Sequence, residues 1–150
     1  MNCETLALEY ELAFSTYEGF NDQFLAIKGW SVSVGLAGIL ASYSDALKNN
    51  AIVAMSAASL SVIPFWIMDA QWKAYQSNYV EKIESIEAID VCSKDAAQSF
   101  SLFSGWGNTY SEFAWVGHLF QANVAFPHAF ILVLGMVLAW KKYSEKATGT

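Results

Sequence analysis

The sequence predicts an all-α, three-span helical membrane protein with a long helical hairpin extending from the membrane, and three observations carry that expectation. The 150 residues are 55% apolar and only 15% charged, whereas charge in soluble domains averages roughly a quarter. Charges are absent from three stretches, residues 29–44, 49–68 and 113–140. Gly and Pro are sparse, at 9 and 2 residues, which excludes collagen-like and linker-like chains and, with the aromatic content, disorder.

A helix needs about 20 residues to cross about 30 Å of hydrocarbon. The second and third stretches meet that length, and the first does so if the flanking Lys28 and Asp45 snorkel. Spans are therefore expected over about 29–46, 49–68 and 114–140, with extramembrane helices over about 4–28 and 69–90 and an irregular Ser- and Gly-rich linker over about 91–110. The whole chain forms a single membrane domain. A buried soluble bundle is the competing architecture, kept open by the Ser, Gly and Ala content of the first two stretches.

Within the first extramembrane helix, Leu6, Tyr10, Ala13, Tyr17, Phe20, Phe24 and Ile27 step by threes and fours, a heptad seam on an acidic helix. The seam continues into the membrane as Ser31, Gly35, Gly38 and Ser42, small residues suited to close helix approach. The second span mirrors it, running on through Phe65, Met68, Trp72, Tyr75, Tyr79, Ile83 and Ile86. A short polar turn at 44–50 makes the first two spans an antiparallel hairpin, so both extensions emerge on one side and pair. Pro64 is expected to kink the second helix.

Net charge is −6, and all eight basic residues are lysines. Nucleic-acid binding needs basic grooves and favours arginine, so it is excluded as a role. The first 22 residues hold five acids and no base, unlike the basic start of a signal peptide. No P-loop, dinucleotide fingerprint, G-x-S-x-G, H-E-x-x-H or C-x-x-C occurs, so neither a cofactor nor a metal nor an enzyme activity is expected.

Four features remain as candidates. Lys28 and Asp69 reach one membrane face and are candidates for an interfacial ion pair, with Trp30 and Trp66 at headgroup level. On one continuous helix, His118, Gln121 and His128 would form a polar stripe, serving either as a pore or proton path or as interhelical hydrogen-bonding glue. Cys3 and Cys92 would both lie near the hairpin tip, as a disulfide outside the cytoplasm or as thiols inside it. The small-residue faces and aromatic seams are the expected surfaces for a homo-oligomer or a protein partner, with the lipid bilayer as the remaining partner.

Residues 21–33, NDQFLAIKGWSVS, and 63–70, IPFWIMDA, resemble a group of small bacterial inner-membrane proteins. Their first span opens with F-x-x-x-K-G-W-S, here Phe24, Lys28, Gly29, Trp30 and Ser31; their second ends with F-W-x-x-D-A, here Phe65, Trp66, Asp69 and Ala70. The resemblance covers roughly the first 85 residues. It implies an inner-membrane location with the N-terminus and extended helices in the cytoplasm, and an association with small membrane effectors of bacterial defence. The chain departs from that group in having lysine and glutamate after the second span where the group has arginine. Lysines themselves divide evenly: Lys28, Lys73, Lys82 and Lys94 face inward in one orientation, Lys48, Lys141, Lys142 and Lys146 in the other. The function expected is a membrane-perturbing or channel-like effector, the alternative a non-conducting accessory or scaffold subunit that docks a partner through its aromatic seams.

Overall fold

A computed structural model describes residues 3–88 and 113–148. Among these residues the chain is helical, without strands. Helix α1 (Cys3–Ala41) is followed by a 3-10 turn (Asp45–Asn50), α2 (Ala51–Leu60), α3 (Val62–Glu87), the short α4 (Ala114–His118) and α5 (Ala122–Thr148). Three helical stretches are long and apolar enough to cross a membrane, namely α1, the run from the 3-10 turn through α3, and α5.

At 1.5 Å per residue, the 39 residues of α1 extend about 58 Å, more than one bilayer thickness, so one helix serves both span and stalk. It ends where the Ser42 hydroxyl donates to the Ile39 carbonyl at 2.5 Å, inserting a competing acceptor bond into the last turn. The second span breaks at Ser61, and the cause is Pro64 three residues on. A proline has no N–H for the carbonyl four residues back, here Leu60, which is the last residue of α2. Ser61 keeps helical dihedrals and donates through its hydroxyl to the Ala58 carbonyl at 2.7 Å, so α2 runs into α3 through a single-residue interruption.

Two cores hold the helices together. In the stalk, Ala13, Phe20 and Phe24 of α1 pack with Tyr79 of α3, flanked by Tyr17, Trp72, Tyr75 and Ile83. Phe20 lies 5.6 Å, centroid to centroid, from both Trp72 and Tyr79, within the range at which aromatic pairs add to simple burial. In the span, Ile39, Val62 and Ile131 form the second core. Here glycine sets the approach of the helices. A methyl on Gly38 would meet Ala58 Cβ at 2.6 Å, one on Gly35 would strike Ile131, and one on Gly135 would strike the Ser59 hydroxyl.

The small-residue and aromatic faces make contacts within the chain itself. Ser31, Gly35 and Ser42 are buried and Gly38 half-buried against helices of the same chain, and the aromatic seam closes on its own partner helix. What faces outward along α5 is instead Phe126, Phe130, Val133, Val137 and Trp140, a large apolar stripe suited to lipid.

The third span also departs from expectation. Residues 114–140 do not form one helix: α4 ends at His118, residues 119–121 turn, and α5 begins at Ala122 and continues to Thr148. The Gln121 carbonyl accepts from the amides of Val124 and Ala125 at 2.9 and 2.8 Å, starting the new helix. The linker at 91–110, with its Phe100, Phe103 and Trp106, lies outside the described residues, as does Cys92, so the Cys3–Cys92 pairing falls there too.

Candidate functional site: a buried charge network joining three helices

Three helices meet where the stalk enters the membrane. Asp69 of α3 is fully buried, and the Lys28 ammonium of α1 lies 3.1 Å from its Oδ2 and 3.3 Å from its Oδ1. From α5, His128 brings Nε2 to 3.2 Å from Asp69 Oδ2. Its Nδ1 lies 2.7 Å from the hydroxyl of Ser31, three residues along α1 from Lys28. Since a carboxylate only accepts, the proton on that side belongs to Nε2. Trp66, one turn before Asp69, stacks on the imidazole at 6.3 Å and 17° and donates from Nε1 to the Leu119 carbonyl at 3.0 Å.

Each position follows from helical spacing. Lys28 and Ser31 are three apart on α1, and Trp66 and Asp69 three apart on α3, so each pair shares a face. His128 is delivered by the early turns of α5, directly after Pro127. The hairpin brings Lys28 and Asp69 together, as their place at the ends of the first two uncharged stretches implies.

The polar stripe takes another form. His128 is buried in the network, Gln121 is exposed in the turn, and His118 ends a separate helix. The broken helix removes the common face on which a stripe depends. His118 Nδ1 is buried and has no hydrogen-bond partner among the described residues. Trp30 is 65% exposed. Trp66, by contrast, is half-buried in protein contacts, because its indole N–H finds an acceptor in the turn before α5 and not in the headgroups.

Above this level the stalk carries polar contacts that the sequence pattern does not single out. Lys73 donates to Gln76 Oε1 at 2.6 Å, and the nearly inaccessible Gln76 donates to the Tyr17 carbonyl at 3.3 Å and to Asn21 Oδ1 at 3.1 Å. Both Lys28 and Lys73 approach the Phe24 ring, at 5.0 and 5.6 Å. Burial, and then the Lys28 charge, push the Lys73 ammonium below its ordinary value, while Asp69 pulls the other way. Farther out, Lys82 pairs with the buried Glu9 at 2.9 Å, and the Tyr10 hydroxyl donates to Glu87 at 3.0 Å. That bond, and the Glu87 charge behind it, raise Tyr10; burial raises Tyr79.

Ser31, His128 and Asp69 together have the composition of a nucleophile relay, with the serine on Nδ1 and the aspartate on Nε2. All three are fully buried, so the serine hydroxyl meets no substrate in this conformation. Among the described residues no cluster of three or more His, Cys, Asp or Glu is placed to hold a metal ion.

The fold and this site define a multi-pass helical membrane protein. Compared with known protein families, with curated proteins and with solved structures, the chain matches none.

Proposed function

We propose that the protein is a non-conducting accessory or scaffold subunit: a three-span anchor that holds a paired-helix stalk at a fixed height and register above the bilayer for a partner protein to dock on. The observation that carries this reading is the closed network of Lys28, Asp69, His128 and Ser31. Of the polar groups that would line a path, His128 is held in this network while Gln121 and His118 lie off its helix, and the outer face of α5 is apolar. About 37 Å of α1 precedes Lys28, and on it Leu8 and Leu12, one turn apart, remain 58% and 46% exposed, a small apolar patch for a partner.

The stalk is assigned to the cytoplasm and the spans to a bacterial inner membrane, on the resemblance of residues 24–31 and 65–70 to small inner-membrane proteins. An impermeant thiol reagent applied to intact cells should leave Cys3 unlabelled, and rapid labelling reverses the orientation.

Reconstitution into vesicles carrying a potassium gradient and a voltage-sensitive dye tests the main reading. The purified chain should leave the potential as protein-free vesicles do. Depolarisation would overturn the scaffold reading in favour of a channel-like, membrane-perturbing effector, the second reading, which the same resemblance favours and which extends to bacterial defence.

A further inference from the structure

At the membrane face opposite the stalk, the start of the second span and the end of α5 enclose a cleft of about 680 Å³ lined by Lys48, Asn49, Ala51, Ile52, Lys142, Glu145 and Lys146. Three of the eight lysines of an acidic chain converge there with one carboxylate. Lys28 and Lys82 are ion-paired, yet among the described residues Lys48, Lys142 and Lys146 form no ion pair. Lys142 is positioned by the Tyr43 ring, 5.2 Å from its ammonium.

Location selects the ligand. Trp140, Tyr143 and Tyr43 are exposed around this end of the bundle, at 73%, 59% and 57%, and such amphipathic rings sit at the headgroup level of a bilayer. Ala51 and Ile52 add apolar surface to the lining, and Val53, next along the chain, is 69% exposed. Lysine charge, aliphatic lining and exposed aromatic rings at one end of the bundle match a molecule with an anionic head and a hydrocarbon body.

We infer that this cleft binds the headgroup of an anionic phospholipid, with Lys48, Lys142 and Lys146 holding the phosphodiester. Glu145 opposes the ligand charge and limits its affinity. The neighbouring Lys141 and Asp45, of opposite sign, lie on the same two elements outside the lining.

The test is native mass spectrometry of the full chain released from detergent with phosphatidylglycerol or phosphatidylcholine added. Phosphatidylglycerol should be retained in preference. Each lysine near an anionic surface contributes about 5-fold in affinity, so replacing all three by glutamine should weaken retention on the order of 100-fold. Arginine at the three positions should preserve it, and Glu145→Gln should tighten it, a gain that misfolding cannot imitate. Equal retention of the two lipids, or a triple glutamine variant that holds phosphatidylglycerol as the parent does, overturns the site. Water-soluble glycerol phosphate displacing the lipid completely would overturn the assignment to a membrane lipid.

Discussion

Replacing Asp69 by alanine removes the acceptor that both Lys28 and His128 use, and the two lose unequally. Lys28 keeps 23% of its side chain exposed, and its flexible stem can carry the ammonium to the headgroups, which reduces its penalty to about 1 kcal/mol. His128 has no such escape: it is fully buried, and an orphaned buried donor costs about 1–3 kcal/mol. The expected loss is thus about 2–4 kcal/mol. Asp69→Asn should cost less, since an amide oxygen still accepts from Nε2. The assay is reversible unfolding of the full chain in mixed micelles by titration with denaturing detergent, followed by tryptophan fluorescence. A Lys28→Ala, Asp69→Ala cycle separates the ion pair from the histidine contact, because groups that do not interact add to within about 0.3–0.5 kcal/mol. A loss below about 0.5 kcal/mol for Asp69→Ala, the ordinary scatter of inert surface changes, refutes the view that the network holds the three helices together.

Gly135→Ala would drive a methyl into the Ser59 hydroxyl, with Ser59 Cβ at 2.9 Å and Ile39 Cδ1 at 3.0 Å, and should destabilise by about 1–3 kcal/mol in the same titration. Gly29→Ala meets nothing within 4 Å and should be neutral or stabilising by up to about 1 kcal/mol; equal effects would refute the packing. Tyr10 and Tyr79, both raised, favour their protonated forms in the fold. Their stabilising contribution is therefore full below the unfolded tyrosine value near 10 and lost as pH rises through the folded values. Absorbance titration of phenolate should show Glu87→Gln lowering the Tyr10 midpoint, and an unchanged midpoint counts against the hydrogen bond. A fluorophosphonate probe should leave Ser31 unmodified in the membrane-embedded chain; labelling that Ser31→Ala abolishes would reopen the enzyme question.

Much of the architecture was legible because it depends on local composition. Uncharged length marks a span whatever packs against it, and a heptad seam reports which face of a helix is covered. The Lys28 and Asp69 contact was legible for the same reason: both sit where an uncharged stretch ends, and a short turn leaves only one way to fold the hairpin. His128 was legible as a buried polar residue but not as their partner, since its contact depends on how α5 rotates and slides against α1 and α3, which no short-range pattern encodes. The break before α5 gave no local signal either. Leu119, Phe120 and Gln121 contain neither Gly nor Pro, and what the turn offers is a tertiary bond, the Leu119 carbonyl accepting from Trp66. Glu9 and Gln76 were missed because polar residues on an amphipathic stalk ordinarily face water, and their burial follows from partners on the opposite helix.

The network also answers a question that the stalk leaves open. An aromatic seam that repeats every seven residues tolerates a slide of one heptad, since rings would again meet rings after about 10 Å of travel. Dispersion and burial discriminate weakly between such registers, because both are non-directional. A single charged contact does discriminate: shifting α1 by one heptad would take Lys28 away from Asp69 and strand a fully buried carboxylate beside His128 alone. A buried pair is often a poor source of net stability, and setting register is its best-attested use. Here it acts where the seam hands over to the glycine contacts of the span, so the height of the stalk and the packing of the membrane bundle are fixed by the same four side chains.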